Sequence, residues 1–122
     1  MQNLNSKFKT DLAGRCYRFS LDILSLIDTL PNKRSSWVIS DQLIRSATSI
    51  GANLVEGKSA SSRLEFKKFY EIALKSANET RYWLGLLRDA NLADVAKVNL
   101  LLQEATELSN MLATGVINLK KK

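Results

Sequence analysis

The chain has 122 residues, 18 Lys and Arg against 12 Asp and Glu, a net charge of +6, one cysteine and no histidine. That length predicts a single domain, 1–122, able to bury a core without a metal or a disulfide. The missing histidine excludes Ser-His-Asp and Cys-His catalysis, histidine-ligated zinc and the Glu-x-x-His sites of di-iron bundles.

Only one proline and five glycines interrupt the chain, and apolar residues recur at three- and four-residue intervals nearly throughout, so the expected class is all-α. The first predicted helix runs from Lys7 to Thr29, with Phe8, Leu12, Cys16, Phe19, Ile23, Leu26 and Leu30 as its apolar stripe. Cys16, set among aromatic and aliphatic residues, reads as a small buried hydrophobe. Pro31 ends this helix, and PNKRSSW makes a polar connection to Ser40, the expected N-cap of the second helix.

The second helix mixes Leu43, Ile44, Ala47, Ile50, Leu54 and Val55 with Arg45, Ser46, Ser49, Gly51, Asn53 and Glu56. Small residues let backbones approach, and any polar group buried there needs a partner, so this helix predicts a specified helix–helix or subunit contact. Arg45, Ser49 and Glu56 follow helical spacing with Asn53 beside them, and this set is expected to form an interface or a buried polar motif. Gly57 is expected to end the helix in the left-handed conformation.

Ser62 and Glu65 have the S-x-x-E spacing of a capping box, which starts a third helix with Phe66, Phe69, Ala73, Ala77 or Ser76, Thr80, Leu84 and Leu87 inward. The pattern breaks near Asn91. Asp94 or a neighbour then starts a fourth helix with Val95, Val98, Leu102, Ala105, Leu108, Leu112, Val116 and Leu119 inward. Lys120, Lys121 and Lys122 complement the negative end of its dipole. Four helices on short links predict an antiparallel up-down-up-down bundle.

Little in the sequence points to catalysis. Glu56, Glu65, Glu71 and Glu79 read as paired or solvated carboxylates, and no metal or cofactor is expected. Gly57-Lys58-Ser59 matches the end of a phosphate-binding loop, but Ala52 stands where that motif needs its first glycine. No apolar run reaches the roughly 18 residues of a membrane span. MQNLNSKFKTDLAG lacks a signal-peptide core, so a cytoplasmic protein with no membrane partner is expected. On the third helix Lys67, Lys68, Lys75, Arg81 and Arg88 lie mostly opposite the apolar stripe, either as a polybasic face for RNA or DNA phosphates or as a solvated surface.

The segment from Ser40 to Leu87 resembles the small four-helix proteins encoded in intervening sequences of bacterial 23S ribosomal RNA genes, and also the accessory protein of diversity-generating retroelements. The resemblance rests on Asp41-Gln42, Arg45-Ser46-Ala47, Ser49, Asn53, Glu56-Gly57, Glu65-Phe66, Phe69, Ile72-Ala73, Ser76 and Glu79. Leu74-Lys75-Ser76 departs from a small residue and glycine before the serine. The resemblance implies a homo-oligomer, with a pentamer favoured, and nucleic-acid binding. For the retroelement branch it also implies a reverse transcriptase as partner. It supplies no active site. The expected function is therefore a non-enzymatic oligomer that binds nucleic acid through basic faces, the alternative being a structural or protein-binding oligomer with no nucleic-acid role.

Overall fold

The computed structural model describes residues 11–121 and contains four helices, α1 (Leu12–Ile27), α2 (Arg34–Gly57), α3 (Arg63–Asp89) and α4 (Val95–Lys120). Each helix packs on its neighbours in sequence, and α4 closes back on α1, the diagonal helices meeting through side chains rather than by close backbone approach. The pairing is antiparallel throughout. Ser46 meets Thr80 while Ser49 meets Ser76, and Arg88 meets Asn99 while Arg63 meets Asn118. A groove lined by Leu12 and Ala13 at the start of α1 and by Leu54 and Lys58 at the end of α2 shows the same sense for that pair. The fold is an up-down-up-down bundle around Phe19, Ile23, Leu43, Ile50, Leu84, Leu87, Leu108 and Leu112, all nearly inaccessible to solvent.

The helix ends follow from local chemistry. Asp11 caps α1 by accepting from the Gly14 N–H at 2.6 Å, and Asp94 caps α4 by accepting from the Lys97 N–H at 2.9 Å. Ser62 accepts from the Glu65 N–H at 3.1 Å, while the Glu65 carboxylate accepts from the Ser61 N–H at 2.6 Å, one residue before the cap. At the end of α3, Asn91 takes a φ of 60°, the Leu92 N–H donates to the Leu87 carbonyl, and the Asn91 N–H donates to the Arg88 carbonyl. This is a Schellman closure, and the buried Leu92 is its apolar lock.

Three expectations change. The helix α2 begins at Arg34, six residues before Ser40, because Ser36 and Ser40 are buried and continue the inward stripe of Leu43, Ala47, Ile50 and Leu54. Gly57 is the last helical residue rather than a left-handed terminus, since no described glycine has a positive φ. Its role is packing: a Cβ there would lie 3.2 Å from the Phe66 ring. Val95, expected inward, is 52% exposed, because α4 turns its core face only from Val98 onward. The first helix is described from Leu12 to Ile27, and Phe8 lies outside the described residues.

Two glycines in helix interiors should respond in opposite ways to alanine. A Cβ on Gly115 would sit 2.8 Å from Tyr70 Cδ2 and nearer still to Cε2, so Gly115→Ala must displace a half-buried ring. Overpacking of this kind costs about 1–3 kcal/mol, more than the roughly 1 kcal/mol of helix propensity gained. Gly85 has nothing within 4 Å of its added Cβ, so Gly85→Ala should gain stability of up to about 1 kcal/mol. Urea unfolding of both variants checks the pair. Equal shifts would contradict the close approach of α3 and α4 at Tyr70.

Candidate functional site

The polar set expected on α2 divides. Arg45 and Glu56 are exposed on the outer side of the helix, so neither belongs to a buried pair within the protomer. The buried part of the motif faces α3 instead. Ser46 and Thr80 share a hydroxyl–hydroxyl bond of 2.9 Å, and Ser49 and Ser76 share another of 2.9 Å one turn away. Asn53 Nδ2 donates to the Ser49 carbonyl and hydroxyl at 2.8 and 2.9 Å, and Thr80 Oγ1 lies 2.8 Å from the Ser76 carbonyl, to which its one proton goes when the Ser46 hydroxyl donates to Thr80. This ladder satisfies hydroxyls that would otherwise each cost about 1–3 kcal/mol in an apolar seam, and it fixes the register of α2 on α3.

The opposite seam is ionic. Arg15 on α1 donates from Nε to Glu104 Oε2 at 3.0 Å, and its Nη2 reaches Glu104 Oε1 at 2.5 Å and Glu107 Oε1 at 2.9 Å. The hydrogen bonds to Glu104 and then Glu107 hold the guanidinium still more firmly charged. No helical periodicity announced this clasp, because its members stand about 90 residues apart in sequence. Beside it, Cys16 is fully buried, and burial pushes its thiol up to about 12. Such a thiol is protonated at neutral pH, so thiol reagents should label Cys16 only as the bundle opens, with a rate that rises with urea. Fast labelling in native buffer would contradict the packing of Gly51, whose Cβ would lie 3.2 Å from Cys16 Cβ. The raised value also gives an alkaline dependence. The stabilising contribution is complete below the ordinary thiol range and is lost as pH rises through about 12, because the unfolded chain ionises first.

The basic residues of α3 fall into two groups. Lys68 and Lys75 are exposed and line one groove between α3 and α4, together with Glu71, Ile72, Leu74, Val116 and Lys120. Lys120, read from sequence only as a dipole complement, joins them because antiparallel packing returns the end of α4 to the start of α3. Lys67 is half-buried, with its Nζ 4.0 Å from Glu71 Oε2. Arg88 is engaged by Asp89 at 2.9 Å and Asn99 at 2.8 Å, near the far end of the helix. Arg81 is exposed but outside the groove. Among the described residues no three His, Cys, Asp or Glu side chains are placed to hold a metal, and no helix is long and apolar enough to cross a membrane.

A second surface feature is apolar. Leu21 and Leu24 of α1 and Trp37, Val38 and Val55 of α2 are between 38% and 56% exposed, and Arg45 and Glu56 of α2 are exposed as well.

The family model for the 23S rRNA-intervening sequence protein matches residues 9–114. The chain belongs to that family. A solved relative in the same fold is a protein of unknown function from the S23 ribosomal protein family of Bacteroides thetaiotaomicron VPI-5482. It is 35% identical over 87% of this chain and 98% of its own, with a TM-score of 0.81. No curated protein matches this intervening-sequence protein.

Proposed function

We propose that this intervening-sequence protein is a non-enzymatic cytoplasmic scaffold that assembles as a homo-oligomer, a pentamer by preference, and binds nucleic acid through its α3–α4 face. The supporting observation is the groove that gathers Lys68, Lys75 and Lys120 from two helices, with Glu71 near Lys67 as its one acid. Phosphates attracted to three such cations release counterions, which gives affinity without base readout. Five protomers would carry about +30 from a chain charge of +6, so individually weak contacts act together through multivalency.

The outer face of α2 supports the assembly. Trp37, Val38 and Val55 of α2 and Leu21 and Leu24 of α1 are exposed apolar side chains, and those that meet another copy would leave water. Arg45 and Glu56 are exposed on the same helix, charges suited to pairing between copies rather than within one. This face also favours the alternative, an oligomer that binds protein alone.

Light scattering on a size-exclusion column should report several times 13.7 kDa at micromolar concentration, and Val55→Glu should reduce that mass. A monomer at that concentration would remove the assembly. Affinity for a structured RNA and a duplex DNA, measured across salt, separates the two readings: binding that weakens steeply with salt supports the nucleic-acid role, and its absence leaves the protein-binding one.

A further inference from the structure

The groove that carries the nucleic-acid reading is not lined by charge alone. Its lining also holds Ile72 and Leu74 of α3 and Val116 of α4; Ile72 is 45% exposed and Leu74 half-buried, whereas Val116 is buried beneath them. The cations come from both helices, Lys68 and Lys75 from one and Lys120 from the other. Lys68 and Lys75 are two helical turns apart, roughly 10 Å at 1.5 Å per residue, which suits different phosphates of one strand rather than a single anion.

Duplex nucleic acid is a poor fit to such a surface. It presents phosphates and sugars outward and keeps its base faces stacked inside, so seating it here would press phosphates against carbons that offer no hydrogen bond. A single strand has both chemistries the groove asks for. Its phosphates can reach the lysines, while an unstacked base can lay its apolar face on the exposed Ile72 and the edge of Leu74, removing apolar area from water.

We infer that the α3–α4 groove is a binding site for single-stranded nucleic acid, with Lys68, Lys75 and Lys120 holding phosphates and the exposed Ile72, with the outer edge of Leu74, receiving a base. This inference rests on the nucleic-acid reading and narrows it to one strand, one groove and a base contact. Three phosphate contacts on a single strand would contribute about −2 to the log–log dependence of affinity on salt, at roughly 0.7 per contact.

The test is fluorescence anisotropy with the full chain, using an oligouridine strand and a fully paired RNA duplex of the same length. The strand is expected to bind more tightly than the duplex. Ile72→Ser should weaken strand binding by about threefold to fivefold, as loss of a small apolar contact with a base does, and leave duplex binding unchanged. Lys68→Gln with Lys75→Gln should weaken both. Circular dichroism monitors folding, and Ile72→Gln provides a second variant at the same half-exposed position. A duplex that binds as tightly as the strand, with no effect of either Ile72 variant, would overturn the single-strand site while leaving the nucleic-acid reading intact. Displacement of the strand by oligoglutamate at equal charge concentration would also overturn it, by showing an ionic surface alone. Failure of strand and duplex alike to bind at low salt would instead remove the nucleic-acid reading.

Discussion

Thr80→Val is expected to destabilise the bundle by about 1–3 kcal/mol, although the two side chains have nearly the same shape. Thr80 is fully buried, and its hydroxyl joins Ser46 on α2 and the Ser76 carbonyl on its own helix. Valine leaves Ser46, only 4% exposed, with the Leu43 carbonyl at 3.3 Å as its one remaining partner. Ser46→Ala should cost less, because Thr80 keeps its bond to Ser76. The double variant should be milder than the sum by about 1 kcal/mol, since removing both partners of a buried hydrogen bond leaves no orphan. Urea midpoints at constant m-value give the cycle. Additive costs would show that the Ser46–Thr80 bond does not couple the helices.

The sequence carried the class and most element ends because apolar spacing and capping chemistry are local. Ser62–Glu65, Asp94 and the break at Asn91 stand where the spacing put them. The start of α2 was illegible because its inward positions there are Ser36 and Ser40, whose burial depends on what packs over them rather than on their own polarity. Small polar residues on α2 did signal a specified contact, but periodicity alone could not choose between the Arg45–Glu56 flank and the adjacent Ser46–Ser49–Asn53 flank. The partners Ser76 and Thr80 decide that, and they lie about 30 residues on. The Arg15 clasp and the addition of Lys120 to Lys68 and Lys75 are consequences of topology. Once α3 and α4 run antiparallel, the C-terminal charge of one meets the N-terminal charge of the other.

Replacing Lys68, Lys75 and Lys120 together by Gln should have the largest effect on binding. All three are exposed, so fold and assembly should be nearly unchanged, with stability moving by about 0.5 kcal/mol or less at each site. Affinity for RNA at low salt should fall by about tenfold or more, because the proposed interface would lose three phosphate contacts in each copy of the proposed assembly. Arg81→Gln, outside the groove, and Arg88→Gln, whose side chain is held by Asp89 and Asn99, should change affinity much less. A triple variant no weaker than Arg81→Gln would shift the interface away from α3–α4.

The most direct test of the central claim is the slope of log affinity against log salt for a structured RNA, compared between the natural chain and the Lys68, Lys75, Lys120 triple Gln variant. The account predicts a steep negative slope for the natural chain and a slope shallower by about 2 or more for the variant, at roughly 0.7 to 0.9 per lost contact. Identical slopes, or no binding by the natural chain at low salt, would contradict it.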